Sequence, residues 1–378
     1  KLRTNLSAFF HVKVDNTFLS PNFSTGFNSI LNGLAKNHRI LLLKEEYPSL
    51  SFPVTSHGFD FLEIPIDRNL EENIVNSIEQ FKPTIFAFSM VQYISGLKMQ
   101  SDFIKMLKLK FPELLLVADG TQFLGTRVFN FEQSGLDILL GSGYKWLLGG
   151  FGNGYIFLSD AAKDLLYEHK KLTPLPTAPF ISGRDYLSLT LEPGHLDSLN
   201  FGTLNQGINY LNLVCFDFIE QKIQKLMEMA STELYKKGLV EDWMLERKEQ
   251  SSILSLPLNE HIVERLNQEK ILVSNAFVAP FANHGSNRAL NVPDHLLEAD
   301  SNLADAHETI IQFEVGIVMT GQASGAIDEL SFDGLRGSLD GESHDGRAAA
   351  GVGAEVERRP GGVQRSKFDS LCSKTEFL

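Results

Sequence analysis

The sequence predicts an α/β protein whose main domain is a mostly parallel sheet with helices on both faces. Short, nearly continuous apolar runs recur from about residue 24 to 160, helical patterns separate them, and a longer helical pattern follows at 205–238. Continuous apolar runs are typical of strands that are covered on both faces, and their alternation with helices is typical of layered α/β domains. After the long helical stretch we expect a smaller C-terminal α+β domain, of which only a part is recognisable in the sequence.

Five apolar runs are the predicted strands, and three amphipathic stretches between them are the predicted helices. The runs are Arg39–Leu43, Thr84–Phe88, Leu114–Ala118, Asp137–Leu140 and Gly154–Leu158. The helical patterns lie near 25–35, 70–81 and 97–111, where apolar residues recur at the spacing of one helix face. Residues 205–238 have the pattern of one long helix or of a helix pair.

These elements divide the chain into four predicted regions. Residues 1–16 are an atypical N-terminal remnant, 17–204 a large ligand-binding domain, and 205–275 a connecting helix with the start of a small domain. Residues 276–378 differ in composition: the chain has 19 Lys before residue 275 and 2 Lys from there on. Because 340–364 is rich in Gly, Ala, Arg and Glu without any period, we expect a partly disordered tail. A stretch read in a shifted frame or added to the chain would explain this composition too, and we prefer these explanations to an ordered functional domain.

Composition excludes several classes of function. A net charge of −13 argues against nucleic acids and anionic membranes as partners, because both would repel the protein. No apolar run approaches the roughly 20 residues that span a bilayer. The two cysteines, Cys215 and Cys372, and the ten histidines show no metal-ligand spacing, so we predict no metal. A cytoplasmic location is the default expectation.

The strongest signal joins the ends of two predicted strands. Asp119 ends one apolar run in Ala-Asp-Gly-Thr-Gln, and Lys145 follows the next in Gly-Ser-Gly-Tyr-Lys-Trp. Open α/β sheets bind ligands at this edge, so the carboxylate and the amine are expected in one crevice. Pyridoxal phosphate needs such a pair: a lysine for its imine, and an acid that keeps the ring nitrogen protonated. Alone, Lys145 would be read as a surface lysine and Asp119-Gly120 as a turn; together they favour this cofactor.

Asp-Gly-Thr-Gln at 119–122 and Ser-Gly-Tyr-Lys-Trp-Leu-Leu-Gly at 142–149 resemble the aminotransferase class V family of fold-type I pyridoxal-phosphate enzymes. This family includes cysteine desulfurases and kynureninases. The resemblance implies that Asp119 pairs with the ring nitrogen, that Gln122 hydrogen-bonds the ring hydroxyl, and that Lys145 holds the cofactor as a Schiff base. It also implies that Ser142 and Tyr144 hold the phosphate.

Upstream, Asn22-Phe-Ser-Thr-Gly-Phe-Asn28 resembles the phosphate-binding turn of the family. This makes Ser24, Thr25 and Gly26 candidate cofactor-binding residues. Ser24 is expected to be the N-cap of a helix whose N-terminus attracts the phosphate, and Gly26 permits close approach of the backbone. An N-cap without any ligand is the alternative.

Three aromatic residues complete the expected site. Tyr47, in Glu-Tyr-Pro-Ser, resembles the residue that stacks on the cofactor ring, where cysteine desulfurases have a histidine; a buried core tyrosine is the alternative. Tyr93 stands where relatives often have an Asn that contacts the cofactor or the substrate. His195, in Glu-Pro-Gly-His, resembles a loop that reaches the phosphate of the partner subunit, although a lone His is more often structural.

The resemblance implies an enzyme that acts on an amino acid as a homodimer. Transamination is the first expectation, and a lyase or a kynureninase-like hydrolase is the alternative. Cysteine desulfuration ranks lower, because neither cysteine lies in a recognisable catalytic loop. A catalytically inactive or truncated cofactor-binding protein is the alternative from another class, since the N-terminal segment and the substrate-binding arginine of relatives are not recognisable here.

Overall fold

A seven-stranded mixed sheet is the centre of the protein. The computed structural model describes residues 1–168, 174–175, 177–181, 183–258, 274–277 and 309–314. The sheet has the order β1-β7-β6-β5-β4-β2-β3, in which β2 to β6 are parallel and β7 is antiparallel to both of its neighbours. Its strands are β1 (Thr17–Ser20), β2 (Arg39–Leu43), β3 (Asp60–Ile64), β4 (Ile85–Ser89), β5 (Leu115–Asp119), β6 (Ile138–Ser142) and β7 (Gly154–Leu158).

Helices connect these strands and continue after them. They are α1 (Leu2–Phe10), α2 (Phe23–Gly33), α3 (Pro48–Ser56), α4 (Leu70–Phe81), α5 (Ser101–Lys110), α6 (Asp160–Leu165), α7 (Tyr186–Leu191), α8 (Ser198–Leu213), α9 (Phe216–Lys236) and α10 (Asp242–Leu245). A second sheet follows with the antiparallel order β8-β10-β9, formed by Ile253–Leu258, Thr309–Glu314 and Ser274–Phe277.

Helices cover the central sheet on both faces, as predicted. On one face, alternate residues of β2, β4, β5, β6 and β7 form a single buried cluster with side chains of α2, α3, α6 and α7. On the other face, the ring of Phe10 in α1 lies 5.6 Å from that of Phe157 in β7. Every residue of β4 to β7 is therefore buried. Burying one such Leu, Ile or Phe side chain contributes about 1.5–3 kcal/mol, so this sheet is the rigid frame for whatever lies at its edge.

The predicted α/β fold class is confirmed, with a mostly parallel sheet covered on both faces. The stretch predicted as one helix or a pair at 205–238 is a pair, α8 and α9, which separate at Cys215, whose φ is +64°. A left-handed backbone at a residue that is not glycine interrupts helical hydrogen bonding. The predicted remnant at the N-terminus contains α1, in which Leu6 and Phe10 are fully buried. The tail predicted at 276–378 lies outside the described residues, except for 276–277 and 309–314.

Candidate functional site

Four segment ends meet at one edge of the sheet. Strands β4, β5 and β6 are parallel, so Ser89, Asp119 and Ser142, their last residues, lie at the same edge. The start of α2 joins them there. This is the edge at which open α/β sheets bind their ligands, and it is where the sequence predicts the site.

Asp119 is a buried acid at the end of β5. Its side chain Oδ1 accepts a hydrogen bond of 2.8 Å from the backbone N–H of Thr121, and its carbonyl oxygen accepts one of 2.9 Å from the N–H of Met90. Burial raises the pKa of Asp119 to about 6, against the lowering effect of Thr121. A buried carboxyl with a raised pKa at this edge is stabilised in its ionised form by a cation placed against it.

A chain of hydrogen bonds joins β5, β6 and α2. The N–H of Ser142 donates to Oγ1 of Thr121 at 3.0 Å, and Oγ of Ser142 accepts from the N–H of Phe23 at 2.9 Å. Ser142 is buried, so its hydroxyl has a fixed position between the two strand ends and the first turn of the helix.

The N-cap of α2 is Asn22, so the expectation that Ser24 is the cap is wrong. Oδ1 of Asn22 accepts from the N–H of Thr25 at 2.9 Å, which is the usual capping geometry for an asparagine that precedes the helix. Ser24 lies inside the first turn, and its Oγ is 2.8 Å from Oγ of Ser49. Thr25 is exposed. Gly26 is buried, and a Cβ at this position would lie 3.1 Å from Oγ of Ser20, so the close approach that Gly26 permits is to the sheet.

Lys145 lies in a tight turn directly after β6, together with Tyr144. Both residues are half-buried, and the ring of Tyr144 lies 5.1 Å from that of Phe151. The turn is closed by a hydrogen bond of 2.8 Å from the N–H of Gly149 to the carbonyl of Gly143.

The lysine turn is fastened from two sides. Nδ2 of the buried Asn153 donates to the carbonyls of Gly149 and Asn200, at 2.6 and 2.9 Å. Nε1 of Trp146 donates to Oε1 of Gln122 at 3.1 Å, which ties the turn to the Asp119 segment. The predicted Asp-Gly-Thr-Gln and Ser-Gly-Tyr-Lys-Trp segments are therefore in direct contact.

An aromatic pair lies beside this edge, formed by Tyr47 at the start of α3 and Tyr93 in the loop after β4. Their ring centroids are 5.1 Å apart and their planes are at 86°. Tyr47 is 41% exposed, so the alternative of a buried core tyrosine does not describe it. Burial raises the pKa of Tyr93 above its ordinary value.

His195 is exposed in the loop between α7 and α8. Its expected contact is with the phosphate of a partner subunit, so this contact stays a prediction. The loop is anchored by the buried Glu192, whose Oε1 accepts from Nη2 of Arg3 and from the N–H of Leu19, each at 2.7 Å.

Several residues at this edge have no place in the sequence prediction. Glu46 is buried, and its carboxyl accepts from the N–H of Ser89 at 2.9 Å. The rule that located Asp119, an acid near the end of a buried strand, applies to Glu46 after β2 as well. Thr121 lies within the Asp-Gly-Thr-Gln motif, but the sequence assigns no role to it or to Asn153, because their roles arise from contacts between separate segments.

Neither a metal cluster nor a membrane span is found in the part of the chain that the structure describes. No three His, Cys, Asp or Glu residues there are grouped as metal ligands, and no helix is long and apolar enough to cross a bilayer.

Comparison with known proteins identifies relatives of this fold and this sequence. The family model for aminotransferase class-V matches residues 1–275. No curated protein matches the chain. Among solved structures, a cysteine desulfurase from Thermococcus onnurineus NA1 is similar, with a TM-score of 0.63 at 18% identity over 83% of this chain and 77% of that one.

Two further structures show the range of activities on this fold. A cystine C-S lyase, solved with its product cysteine persulfide, has a TM-score of 0.63 at 17% identity over 73% of this chain and 78% of its own. A ureidoglycine-glyoxylate aminotransferase from Bacillus subtilis has a TM-score of 0.60 at 13% identity over 84% of this chain and 78% of its own. At these identities the likeness shows the fold and leaves the reaction open.

Proposed function

Because the chain belongs to the aminotransferase class-V family, we propose that it is an enzyme that acts on an amino acid and holds its cofactor covalently on Lys145. Pyridoxal phosphate is the cofactor of this family. The observation that carries the proposal is the buried carboxyl of Asp119 at the sheet edge that also bears the lysine turn. In this proposal, residues 17–204 are the cofactor-binding domain and 205–275 begin the small domain.

The chemistry of the residues present fits this cofactor. Asp119 is an acid whose pKa burial raises to about 6, and the protonated ring nitrogen is the cation that would stabilise its charge. Ser142 accepts one hydrogen bond from Phe23 and still has its own proton to donate to a phosphate oxygen. The N-terminal end of α2, next to Ser142, favours a dianion.

The remaining residues have complementary roles in this proposal. Ser24, Thr25 and Gly26 in the first turn of α2 and Tyr144 before the lysine would hold the phosphate. Gln122, held by Trp146, would hydrogen-bond the ring hydroxyl. Tyr47 offers an exposed aromatic face for stacking on the ring.

The reaction depends on positioned proton transfer. When bound, pyridoxal phosphate supplies an electron sink for the bond that breaks at the α-carbon of the amino acid. Lys145 then moves a proton at that carbon, and the turn closed by Gly143 and Gly149 holds it in place. Asp119, as the carboxylate, keeps the proton on the ring nitrogen. The buried sheet edge excludes water from Asp119, which strengthens this charge interaction.

Transamination is the reaction we propose first, on the basis of the family. A lyase or a kynureninase-like hydrolase is the alternative, and Tyr47 supports it, because a tyrosine stands where cysteine desulfurases have a histidine. A cofactor-binding protein without activity is the alternative from another class. Tyr93, beside Tyr47, is the candidate for substrate contact in either enzymatic case.

The proposal is tested by absorbance spectroscopy of the purified protein. We expect a yellow protein whose visible band changes when the right amino acid is added, and a screen of the common amino acids would identify it. A band that no amino acid changes would support the inactive alternative. A colourless protein that takes up no pyridoxal phosphate would overturn the proposal.

We further propose that the enzyme is a homodimer, with a contact surface beside the lysine turn. A groove there is lined by Leu148, Leu199, Gly202, Thr203 and Tyr210, among others. Leu148 and Leu199 are 55% and 74% exposed, which is unusual for leucines that lie side by side. The loop of His195 is continuous with this surface through the start of α8, so a partner subunit would meet both. Cytoplasmic location remains the expectation for this enzyme.

A further inference from the structure

Glu46 is a buried acid that the proposed mechanism does not use. Glu46 is 4% exposed, and one serine of β4 binds both oxygens of its carboxyl. Oε1 accepts from the N–H of Ser89 at 2.9 Å, and Oε2 contacts Oγ of the same serine. A carboxyl that is withdrawn from water so completely and bound so specifically needs an explanation beyond surface solubility.

The carboxyl fastens a strained turn. Glu45, immediately before it, has a φ of +61°, which is unfavourable for a residue other than glycine. Nε2 of Gln92 donates to the carbonyl of Glu45 at 2.6 Å, so two consecutive residues of the turn are bound, Glu45 to the segment after β4 and Glu46 to the last residue of β4. Tyr47 comes next in the chain. The position of its ring therefore depends on these two attachments.

The same carboxyl lies next to the acid of the site. Ser89, which binds Glu46, is the residue of β4 paired in register with Asp119 of β5. Asp119 is accordingly among the charges that act on Glu46, and Glu46 and Glu45 act in turn on Tyr93 from the loop after β4. The titratable groups that act on Glu46 from the described chain thus include the carboxyl of Asp119 and the phenol of Tyr93.

The charge of one acid acts on the proton of the other. Burial raises the pKa of Glu46 to about 7, and the hydrogen bonds from Ser89 and from the backbone of Tyr47 oppose this. The negative charge of Asp119 raises the pKa of Glu46 further, so an ionised Asp119 helps to keep the proton on Glu46.

We propose that Glu46 is a positioning residue that fastens the turn of Tyr47 to the end of β4 and releases its proton when a cation is placed against Asp119. This inference rests on the proposed function, because the cation is the protonated ring of pyridoxal phosphate. A cation cancels the repulsion from Asp119, so the carboxyl of Glu46 ionises more easily. By thermodynamic reciprocity, ionised Glu46 strengthens the binding of the cofactor.

The first measurement needs no cofactor. Carbon NMR of the full chain, labelled at the side-chain carboxyls of glutamate, follows the titration of Glu46, and Glu46→Gln identifies its signal by loss. We expect the midpoint to fall in Asp119→Asn, where the repelling charge is gone, and to rise in Ser89→Ala, where a stabilising hydrogen bond is gone. A structural role alone predicts no such opposite shifts. Unchanged midpoints in both variants would overturn the coupling.

The second measurement is the affinity for pyridoxal phosphate itself, by absorbance titration between pH 6 and 8. We compare the unmodified chain with Glu46→Gln and with the matched control Glu63→Gln, a glutamate exposed on β3. The variant Glu46→Gln keeps the shape of the side chain but cannot ionise. In the unmodified chain we expect the affinity for pyridoxal phosphate to rise with pH by roughly fivefold or more, which is ordinary for coupled sites. Glu46→Gln should lack this rise, whereas the control Glu63→Gln should keep it.

The outcomes separate the two proposals. If the chain and both variants bind pyridoxal phosphate with the same pH dependence, the inference about Glu46 is wrong while the proposed function stands. If the chain does not bind pyridoxal phosphate at all, the proposed function fails, and the NMR shifts in Asp119→Asn and Ser89→Ala still decide whether Asp119 controls the proton of Glu46.

Discussion

Asp119 and Glu46 show how single residues acquire chemistry from their position in the sheet. Both are ordinary acids in the sequence, and both are buried at the end of a parallel strand or just after one. Removal from water raises the pKa of Glu46 to about 7 and that of Asp119 to about 6. Perturbed acids that converge on one edge are a recognised mark of functional sites.

Replacing Asp119 tests its role directly. Asp119→Asn keeps the size of the side chain, so we expect the cofactor still to attach to Lys145. Turnover should fall roughly 100- to 1000-fold, or about 2.7–4 kcal/mol, because a neutral amide does not hold the proton on the ring nitrogen. Steady-state kinetics measures the loss, and the exposed Asp60→Asn is the control. Turnover near that of the unmodified enzyme would place the acid elsewhere.

The raised pKa of Glu46 predicts how the stability of the cofactor-free protein varies with pH. Between about pH 4.5, the ordinary value, and about pH 7, the folded chain holds the proton of Glu46 more tightly than the unfolded chain does. The free energy of unfolding therefore falls as the pH rises through this range, by on the order of 3 kcal/mol. Asp119 adds a change of the same sign between its ordinary value and about pH 6.

Urea unfolding at pH 5 and pH 7.5 measures this effect. We expect Glu46→Gln to reduce the loss of stability between the two pH values, because the amide does not ionise. Glu63→Gln should behave like the unmodified chain. A loss of stability in Glu46→Gln as large as in the unmodified chain would show that Glu46 does not carry the proton.

At the scale of elements, the sequence identifies those whose side chains repeat a clear pattern. The predicted bounds of β2, β7 and α4 agree with the structure, because continuous apolar runs or a 3.6-residue period mark them fully. β1 and β3 are not predicted from the sequence. β1 has only four residues, and β3 is an edge strand with four of its five residues exposed, so neither has a continuous apolar run.

The site likewise has parts that the sequence predicts and parts that it does not. The placement of Asp119 and Ser142 follows from the sequence, because the ends of adjacent parallel strands must meet. The cap at Asn22 and the attachment of Glu46 to Ser89 do not follow from it. The cap depends on which of several polar residues precedes the first turn, and the attachment joins segments 43 residues apart. Contacts of this kind are set by tertiary packing, which a local pattern does not encode.

The packing of α8 against the lysine turn can be tested by a substitution in the helix. A Cβ at Gly207 would lie 2.1 Å from the carbonyl oxygen of Leu147, so Gly207→Ala must displace α8 from the turn. We expect a lower melting temperature and weaker retention of the cofactor. Gly202→Ala in the same helix meets no atom within 4 Å and is the matched control. Its effect on the folding of the chain should be neutral or stabilising by about 0.5–1 kcal/mol, because alanine favours helices. Its effect on the proposed dimer surface, which Gly202 also lines, is read separately from the mass by light scattering.

Thermal unfolding and cofactor absorbance measure both glycine variants. Equal behaviour of Gly207→Ala and Gly202→Ala would mean that the packing of α8 does not position Lys145.

For the whole molecule, the property to be tested is the proposed assembly of two copies of the chain. In the proposed homodimer the exposed leucines beside the lysine turn are the expected contact, so Leu199→Glu should convert the dimer to monomer by placing a charge in a buried interface. Leu109→Glu is the matched control, since Leu109 is 85% exposed on α5 and Leu199 is 74% exposed on α8. Light scattering gives the mass of each. A dimer in Leu199→Glu would exclude this surface.

The covalent attachment of the cofactor to Lys145 can be located by chemical reduction and peptide mapping. The purified enzyme, loaded with pyridoxal phosphate, is reduced with borohydride, digested and mapped by mass spectrometry. The reduced pyridoxyl group should be found on the peptide that contains Lys145, because this lysine alone follows β6 at the edge that bears Asp119. A group found on another lysine, or on none, would contradict the assignment of the site.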